Sequence, residues 1–482
     1  MKYLLLIPAL LSTLGHAQAP QKILINEQKL FDFVKESPPN ILQLQASYEA
    51  TKLQRESLDE NYDFTLSASS KITGTDERPL SNFQPVFGPV RTHSLTLSRP
   101  TKYGATFGVT AYSSDSVSTI NRSTNQGFQF DISLDLYKDL LGKTTRANYK
   151  SLDFSQQRMK IDSKIRTNGF YQQLRKIYWA IIAIQEKETL SKQLLKASQD
   201  QAKDARRRLK SSIADIGEVA RYESQVSSRK ANIVLLNYEK ERLIKQLKDL
   251  VPELAYSELI FKENNLQKTI DSVVKCTTLI QTHKLPPLEY TRFDEMLVLL
   301  EKEYTATSMA TEKHSSLDVS LDTSLSTFGK GTNYELSRDA FSDDRSKSYE
   351  IGLNISIPLG SKKSNTEDVK KIVEKKRYLA QNRELMGKIK TFHYQILKNI
   401  SLLYQVFDNQ QENSGKLEIS LKHMKKKFKQ ARVSVSDLIN EQDIYLQSNL
   451  SEVDTQLEVI NTLFEYFSVY SDTPCDINRN VL

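Results

Sequence analysis

Residues Phe428–Glu452 read FKQARVSVSDLINEQDIYLQSNLSE, and the small, β-branched patch ARVSVS interrupts what is otherwise a long polar helical pattern. A second interruption lies upstream in RLKSSIADIGEVARYESQVSS, Arg208–Ser228, again between charged helical flanks. Ser212 stands about 219 residues before Ala431, and matched breaks at a fixed distance predict a duplicated chain.

Upstream of each break, from Gly142 and from Gly360, run about 70 residues with neither a proline nor a long apolar run; as helices they would each span roughly 100 Å. Their apolar residues recur at three-to-four spacing, as in Leu174, Ile177, Ile181 and Ile184, or Ile396, Leu397, Ile400, Leu403 and Phe407. That narrow seam is what coiled-coil packing requires. The helices after the breaks are expected to return antiparallel, so each break is the tip of a helical hairpin.

Strand-like alternation precedes both long helices. YDFTLSASSKITG (62–74) sets Tyr62, Phe64 and Leu66 on one face, and LDVSLDTSLSTFG (317–329) does the same with Leu317, Val319 and Leu321. A second pair, FQFDISLDLYKDLLG and KSYEIGLNISIPLG, matches Phe130, Ile132, Leu134 and Leu136 to Tyr349, Ile351, Leu353 and Ile355. The first strands lie about 255 residues apart and the second pair about 219, so the first half carries about 36 extra residues. They contain two further alternating runs, Thr92–Arg99 and Tyr103–Ser113, around a turn with Pro100 and Gly104. Two readings follow: six strands per chain with long connections at 75–91 and 114–127, or four strands with this segment folded back as a hairpin in water. The six-strand reading is preferred because Leu95, Leu97, Phe107 and Val109 need an apolar surface that an isolated hairpin lacks.

The chain has 482 residues, 39% hydrophobic and 26% charged, with few Gly (15) and Pro (13), a balance that suits long helices better than several compact cores. The net charge of +8 is spread along helical segments and does not mark a nucleic-acid site. The six histidines are scattered without ligand spacing and no Gly-rich phosphate loop is present, so neither a cofactor nor enzymatic chemistry is expected. The opening MKYLLLIPALLSTLGHAQAP reads as a secretory signal peptide over 1–19, with a small-x-small site at Ala17–Ala19 and no cysteine after it to accept a lipid. Nowhere else do about 18 consecutive apolar residues occur; any membrane crossing must therefore be made by β-strands, and closure into a barrel is what removes their unpaired edges. So few strands per chain require several chains to close one. The expected organisation is a first repeat at 20–265 (barrel strands near 62–74, 92–113 and 127–137, tip near 212–218), a linker at 266–290, a second repeat at 291–470 (strands near 317–328 and 348–359, tip near 431–437) and a tail at 471–482.

With the duplicated strand-loop-strand-hairpin order, GLNISIPLGSKKSNTEDVKK (352–371) and ARVSVSDLINEQ (431–442) in place, the chain resembles the TolC-type outer-membrane efflux protein family. The resemblance implies a mixed α/β membrane protein: a homotrimer whose outer-membrane β-barrel, four to six strands per chain, continues into a long α-helical coiled-coil tunnel in the periplasm. It further implies a passive export channel of a tripartite efflux pump or a type I secretion system, contacting outer-membrane lipid and working with a periplasmic adaptor (membrane fusion) protein and an inner-membrane transporter. The competing reading is a periplasmic coiled-coil structural or adaptor protein that docks onto another channel. The chain departs from the family at LYKDLLGK, where relatives often carry Gln-Pro-Leu, and at Ser212 and Ala431, which occupy the tip glycine's place; the docking geometry is what these departures affect.

The resemblance places a gate carboxylate at Asp437, with Glu218 as its counterpart, and a second acidic position at Asn440. Both carboxylates also stand three residues after a capping residue, Ser434 and Asp215, as in a capping box; gate and cap remain open together. Ser212, Ile213 and Ile216, with Ala431, Val433 and Ser434, are the expected adaptor-docking tips. Arg206, Arg207 and Arg208 precede one tip and Lys425, Lys426 and Lys427 the other, each either a solvated helix face or part of a basic collar. Cys276 and Cys475, the two cysteines of the chain, each follow a return helix and are candidates for a disulfide.

Overall fold

The computed structural model describes residues 22–35, 38–74, 87–118, 122–262, 266–282, 291–312, 317–343, 345–357 and 361–470. The expected signal peptide, Cys475 and the strand-ending Pro358–Gly360 lie outside them. The chain divides into two units: one of 1–44, 164–292 and 389–482, the other of 45–163 and 293–388.

The second unit is built on an antiparallel sheet that has six strands among the described residues. In spatial order they are β2 (Thr65–Thr73), β3 (Phe87–Pro100), β4 (Ala105–Ser118), β5 (Arg122–Asp135), β7 (Asp318–Gly331) and β8 (Ser346–Ser356). The four-strand alternative is thereby overturned: Leu95 and Leu97 pair with Ala111 and Val109, and Ala111 pairs with Phe128, so the extra segment is part of the sheet. Register aligns every alternating run on one face. Leu66, Leu97, Val109, Phe130, Leu325 and Tyr349 form a continuous exposed row across all six strands. The opposite face is polar, with Thr96 against Thr110 at 2.9 Å and Asp322 accepting from Ser133 at 2.5 Å, from Ser320 at 3.1 Å and from Asn354.

The long connection expected at 114–127 is not there. β4 runs on to Ser118 and β5 begins at Arg122, because this Ser- and Asp-rich stretch continues the ladder. Asp115 on β4 accepts two hydrogen bonds from Arg122, both 2.9 Å, and one from Thr124 at 3.1 Å, which closes the hairpin through side chains that a polar sequence reads as loop. Two strand ends also shift: β2 starts at Thr65 because Tyr62 is held in a turn on Asp59, and β5 stops at Asp135, whose carboxylate accepts from the backbone N–H of Tyr137 and Lys138.

The short turn at 101–104 lies at the helical end of the sheet. Lys102 reaches Asp59 at the end of α2 (Pro39–Glu60) at 2.5 Å, and Asp59 also accepts from Tyr149 at 2.8 Å and from Arg55. These partners, Lys102 and Tyr149 first, hold the Asp59 carboxyl down at about 2. Gly142 opens the long helix with φ +71°, where a Cβ would stand 1.9 Å from the Lys102 carbonyl oxygen.

The two longest helices match expectation closely in length. α3 (Lys143–Lys210) and α8 (Ser361–Lys429) have 68 and 69 residues, and the return helices α4 (Ile216–Leu250) and α9 (Val435–Val469) have 35 each. Within the second unit, α6 (Arg292–Thr311) joins α3 through Arg158 and Glu303 at 2.6 Å, and α8 through stacked Tyr304 and Tyr378 rings.

The first unit contains what sequence alternation missed, a two-stranded parallel sheet of β1 (Lys22–Ile25) and β6 (Glu258–Phe261). It packs with α1 (Glu27–Lys35), mid-α3 and the end of α9 around Ile25, Leu30, Tyr178, Trp179, Ile460 and Phe464. Residues 266–282 of the expected linker are a helix, α5, which buries Ile270, Val273, Cys276 and Ile280 at three- and four-residue spacing. Arg175 pairs with buried Glu27 at 2.5 Å and lies over the Phe31 and Phe464 rings, while burial pushes the Glu27 carboxyl up.

Candidate functional site at the helical turns

Both helical hairpins of the first unit reverse in the same way. Ser212 (φ 59°) and Ala431 (φ 54°) occupy the left-handed region at equivalent positions, the conformation that lets the chain leave a helix end and that glycine adopts most readily. After each reversal an extended residue caps the return helix, Asp215 for α4 and Ser434 for α9.

The two caps then differ. At the second turn Ser434 and Asp437 form a complete capping box: the Ser434 backbone N–H donates to Asp437 Oδ2 at 2.9 Å, and the Asp437 N–H donates to Ser434 Oγ at 3.2 Å. The Ser434 hydroxyl, at 2.6 Å, and its backbone N–H hold the exposed Asp437 carboxyl below the usual range. At the first turn Asp215 accepts from the Glu218 N–H at 2.7 Å, but Glu218 does not reciprocate; its carboxylate is taken by Arg208. The equivalence of Glu218 and Asp437 therefore holds for the backbone and fails for the charge, since one carboxylate is paired and half-buried and the other is exposed. Asn440 lies one turn beyond Asp437 and is exposed.

The basic clusters diverge likewise. Arg206 pairs with Glu223 at 2.5 Å, Arg207 with Asp204 at 3.3 Å, and Arg208 with Glu218 and Asp204. Lys425, Lys426 and Lys427 are exposed and make no ion pair among the described residues. Ile213 and Ile216 are 73% and 78% exposed, an apolar pair standing out of the first turn, whereas Val433 is half-buried in the second.

A small core joins the two turns. Ala202, Ala205, Val219 and Tyr222 of the first hairpin pack with Phe428, Val435 and Ile439 of the second. Burial pushes the Tyr222 hydroxyl up to about 12, so it stays protonated. Polar links between α4 and α9 reinforce the junction: Arg221 donates to Ser436 Oγ at 2.8 Å, and buried Arg229 donates to Asp443 at 3.1 Å. Sequence reasoning missed these pairs because their members lie more than 200 residues apart and nothing in linear order marks them. Cys276 is buried on α5, and its candidate partner Cys475 lies outside the described residues.

No family model and no curated protein matches the sequence. Solved structures do. CusC, described with its transmembrane channel formation, aligns over 95% of this chain and 94% of its own, with a TM-score of 0.65 at 11% identity. The outer membrane protein VceC of Vibrio cholerae aligns over 92% and 95%, with a TM-score of 0.65 at 11% identity. The CmeC outer membrane channel of Campylobacter jejuni aligns over 94% and 89%, with a TM-score of 0.61 at 12% identity. Each of these matches covers more than nine-tenths of the chain, and the chain has the fold of the TolC-type outer-membrane channels.

Proposed function

We propose that this chain is one protomer of a passive outer-membrane export duct. The observation that carries the reading is the six-stranded sheet, apolar along one face and polar along the other, ending in two edge strands, β2 and β8. In hydrocarbon such edges are tolerated only when paired, and pairing β2 of one copy with β8 of the next closes a barrel with the polar face lining a lumen. Three copies would supply about eighteen strands, wider than the four-strand alternative allows. The similar structures, outer-membrane channels among them, support the location and the channel role.

In this reading the two halves are internal repeats, the helices form a periplasmic tunnel, and the turns at Ser212 and Ala431 are its inner end. Exposed Ile213 and Ile216, with Val433 and Ser434, offer apolar and capping surfaces to a periplasmic adaptor; Lys425–Lys427 offer it positive charge. The adaptor would couple the duct to an inner-membrane transporter of an efflux pump or a type I secretion system. Asp437 serves as the exposed gate carboxylate, with Glu218 held in reserve by Arg208 and Asn440 beside it. Cys276 pairs with Cys475, fastening the C-terminal tail to α5.

Heat-modifiable migration in outer-membrane fractions, together with stable conductance of the purified protein in planar bilayers, is the expected result. Recovery wholly in a soluble periplasmic fraction would overturn the duct.

A further inference from the structure

α7 (Tyr334–Asp343), in the connection from β7 to β8, folds over the apolar face of the larger sheet at the strand ends opposite those that join the long helices. Two glycines on β7 admit it: a Cβ on Gly329 would stand 2.1 Å from the Ser337 carbonyl oxygen, and one on Gly331 2.5 Å from the Ser337 nitrogen. Ser337 is fully buried and its hydroxyl donates to the Gly329 carbonyl at 2.7 Å, while Asn333 caps the helix by accepting from the Leu336 N–H at 2.8 Å. Phe341 meets Phe128 of β5 with ring centroids 5.8 Å apart. The helix is thus seated on the sheet rather than strung above it.

Beside it opens a cavity of about 570 Å³, within the size range of small-ligand pockets. Leu95, Ala111 and Phe128 form its floor, Phe341 one wall, and His93 and Arg338 its charged and titratable rim. Its floor is the last apolar row of the sheet face; its rim is the first polar one. Glu335, Asp339 and Asp343 recur every four residues along one exposed stripe of α7, and none of them lines the cavity. Arg338 is held loosely, 3.7 Å from Asp339 with both side chains largely exposed, and His93 Nδ1 lies 3.0 Å from Ser70 Oγ.

We infer that this groove holds an anionic lipid of the outer leaflet, its acyl chain along Leu95, Ala111 and Phe128 beneath Phe341, its phosphate against Arg338 and His93. The inference rests on the outer-membrane reading above. It follows from two matches: the groove is continuous with the apolar band that faces the bilayer, and its rim is cationic where a lipid's phosphate would sit. The guanidinium suits a phosphate because it presents paired donors to two oxygens.

The test uses the full chain in neutral detergent, titrated with phosphatidylglycerol, with phosphatidylcholine of the same acyl chains, or with inorganic phosphate, and read by native mass spectrometry. Retention of phosphatidylglycerol in preference to phosphatidylcholine is expected, weakened about tenfold by Arg338→Ala and abolished by Ala111→Phe, which fills the groove. Arg338 is exposed, so its variant tests the head-group contact even if Ala111→Phe fails to fold. Equal retention of both lipids, unchanged retention in Arg338→Ala, or full displacement by inorganic phosphate would overturn the inference. Protein that conducts in planar bilayers yet retains no phosphatidylglycerol refutes the groove and leaves the duct standing; protein that neither conducts nor enters the outer membrane refutes both.

Discussion

At the scale of single residues, the two helical turns show how like backbones acquire unlike chemistry. Lys427 stands where Arg208 stands in the other half, and it makes no ion pair among the described residues, so Asp437 is left to its cap while Glu218 is drawn to a guanidinium. Ser434→Ala removes the one hydroxyl that both accepts from the Asp437 N–H and donates to its carboxylate. Amide exchange in the first turn of α9 is expected to rise about fivefold, the equivalent of about 1 kcal/mol for a lost cap. The pH dependence has a definite sign. The native Asp437 carboxyl lies below its ordinary value of 3.8. Its contribution to the turn is complete above that value and is lost as pH falls through the lower native one. Exchange protection of residues 435–438 should therefore hold from neutral pH to about pH 5 and drop at stronger acidity. A fall on the alkaline side instead would contradict the cap.

Elements carry the next level of control. The strands β3 and β4 belong to the sheet because their apolar residues fall in register with those of β5, and a slip by one residue would turn every one of them to the polar face. Cysteines introduced singly at Leu97 and Val109 are expected to resist a membrane-impermeant maleimide on intact cells and to react with a lipid-soluble one. Labelling by the impermeant reagent would place both strands in water. The hairpin tip of β4 and β5 is different in kind: its ladder continues beyond the apolar band through Asp115, Arg122 and Thr124, so polar composition there marks a strand that runs on past its apolar stretch, not the end of a strand.

For the whole molecule, the decisive feature is that the chain offers a six-stranded sheet with two edges and a pair of helical turns. Three copies around an axis would bring three exposed Asp437 carboxylates together, whereas the three Glu218 carboxylates would arrive neutralised by Arg208. Asp437→Ala alone is expected to lower cation selectivity in planar bilayers roughly twofold, with little further change on adding Glu218→Ala. An equal effect from each single variant would contradict the asymmetry of the two turns. The thiols make a separate prediction: a non-reducing peptide map of protein from an oxidising compartment should contain the Cys276–Cys475 crosslink, and two free thiols would refute the pairing.

The positions of the two turns, the lengths of the two longest helices and the alternating runs of the strands were legible in the sequence, because helical and strand periodicities are local and repeat over many residues. Sequence offsets also isolated the extra strand pair. Tertiary structure alone decided the rest. β1 and β6 are four residues each, too short for alternation to register, and they pair only because α1, α5 and the middle of α3 bury them. α7 lies on the sheet because Gly329 and Gly331 leave room for its backbone, a matter of close approach that composition does not announce. The charge state of each turn was likewise undetermined by its motif: cap-x-x-acid spacing occurs twice, yet whether the acid closes the box depends on the residue that the preceding helix brings within reach, an arginine at 208 and a lysine at 427.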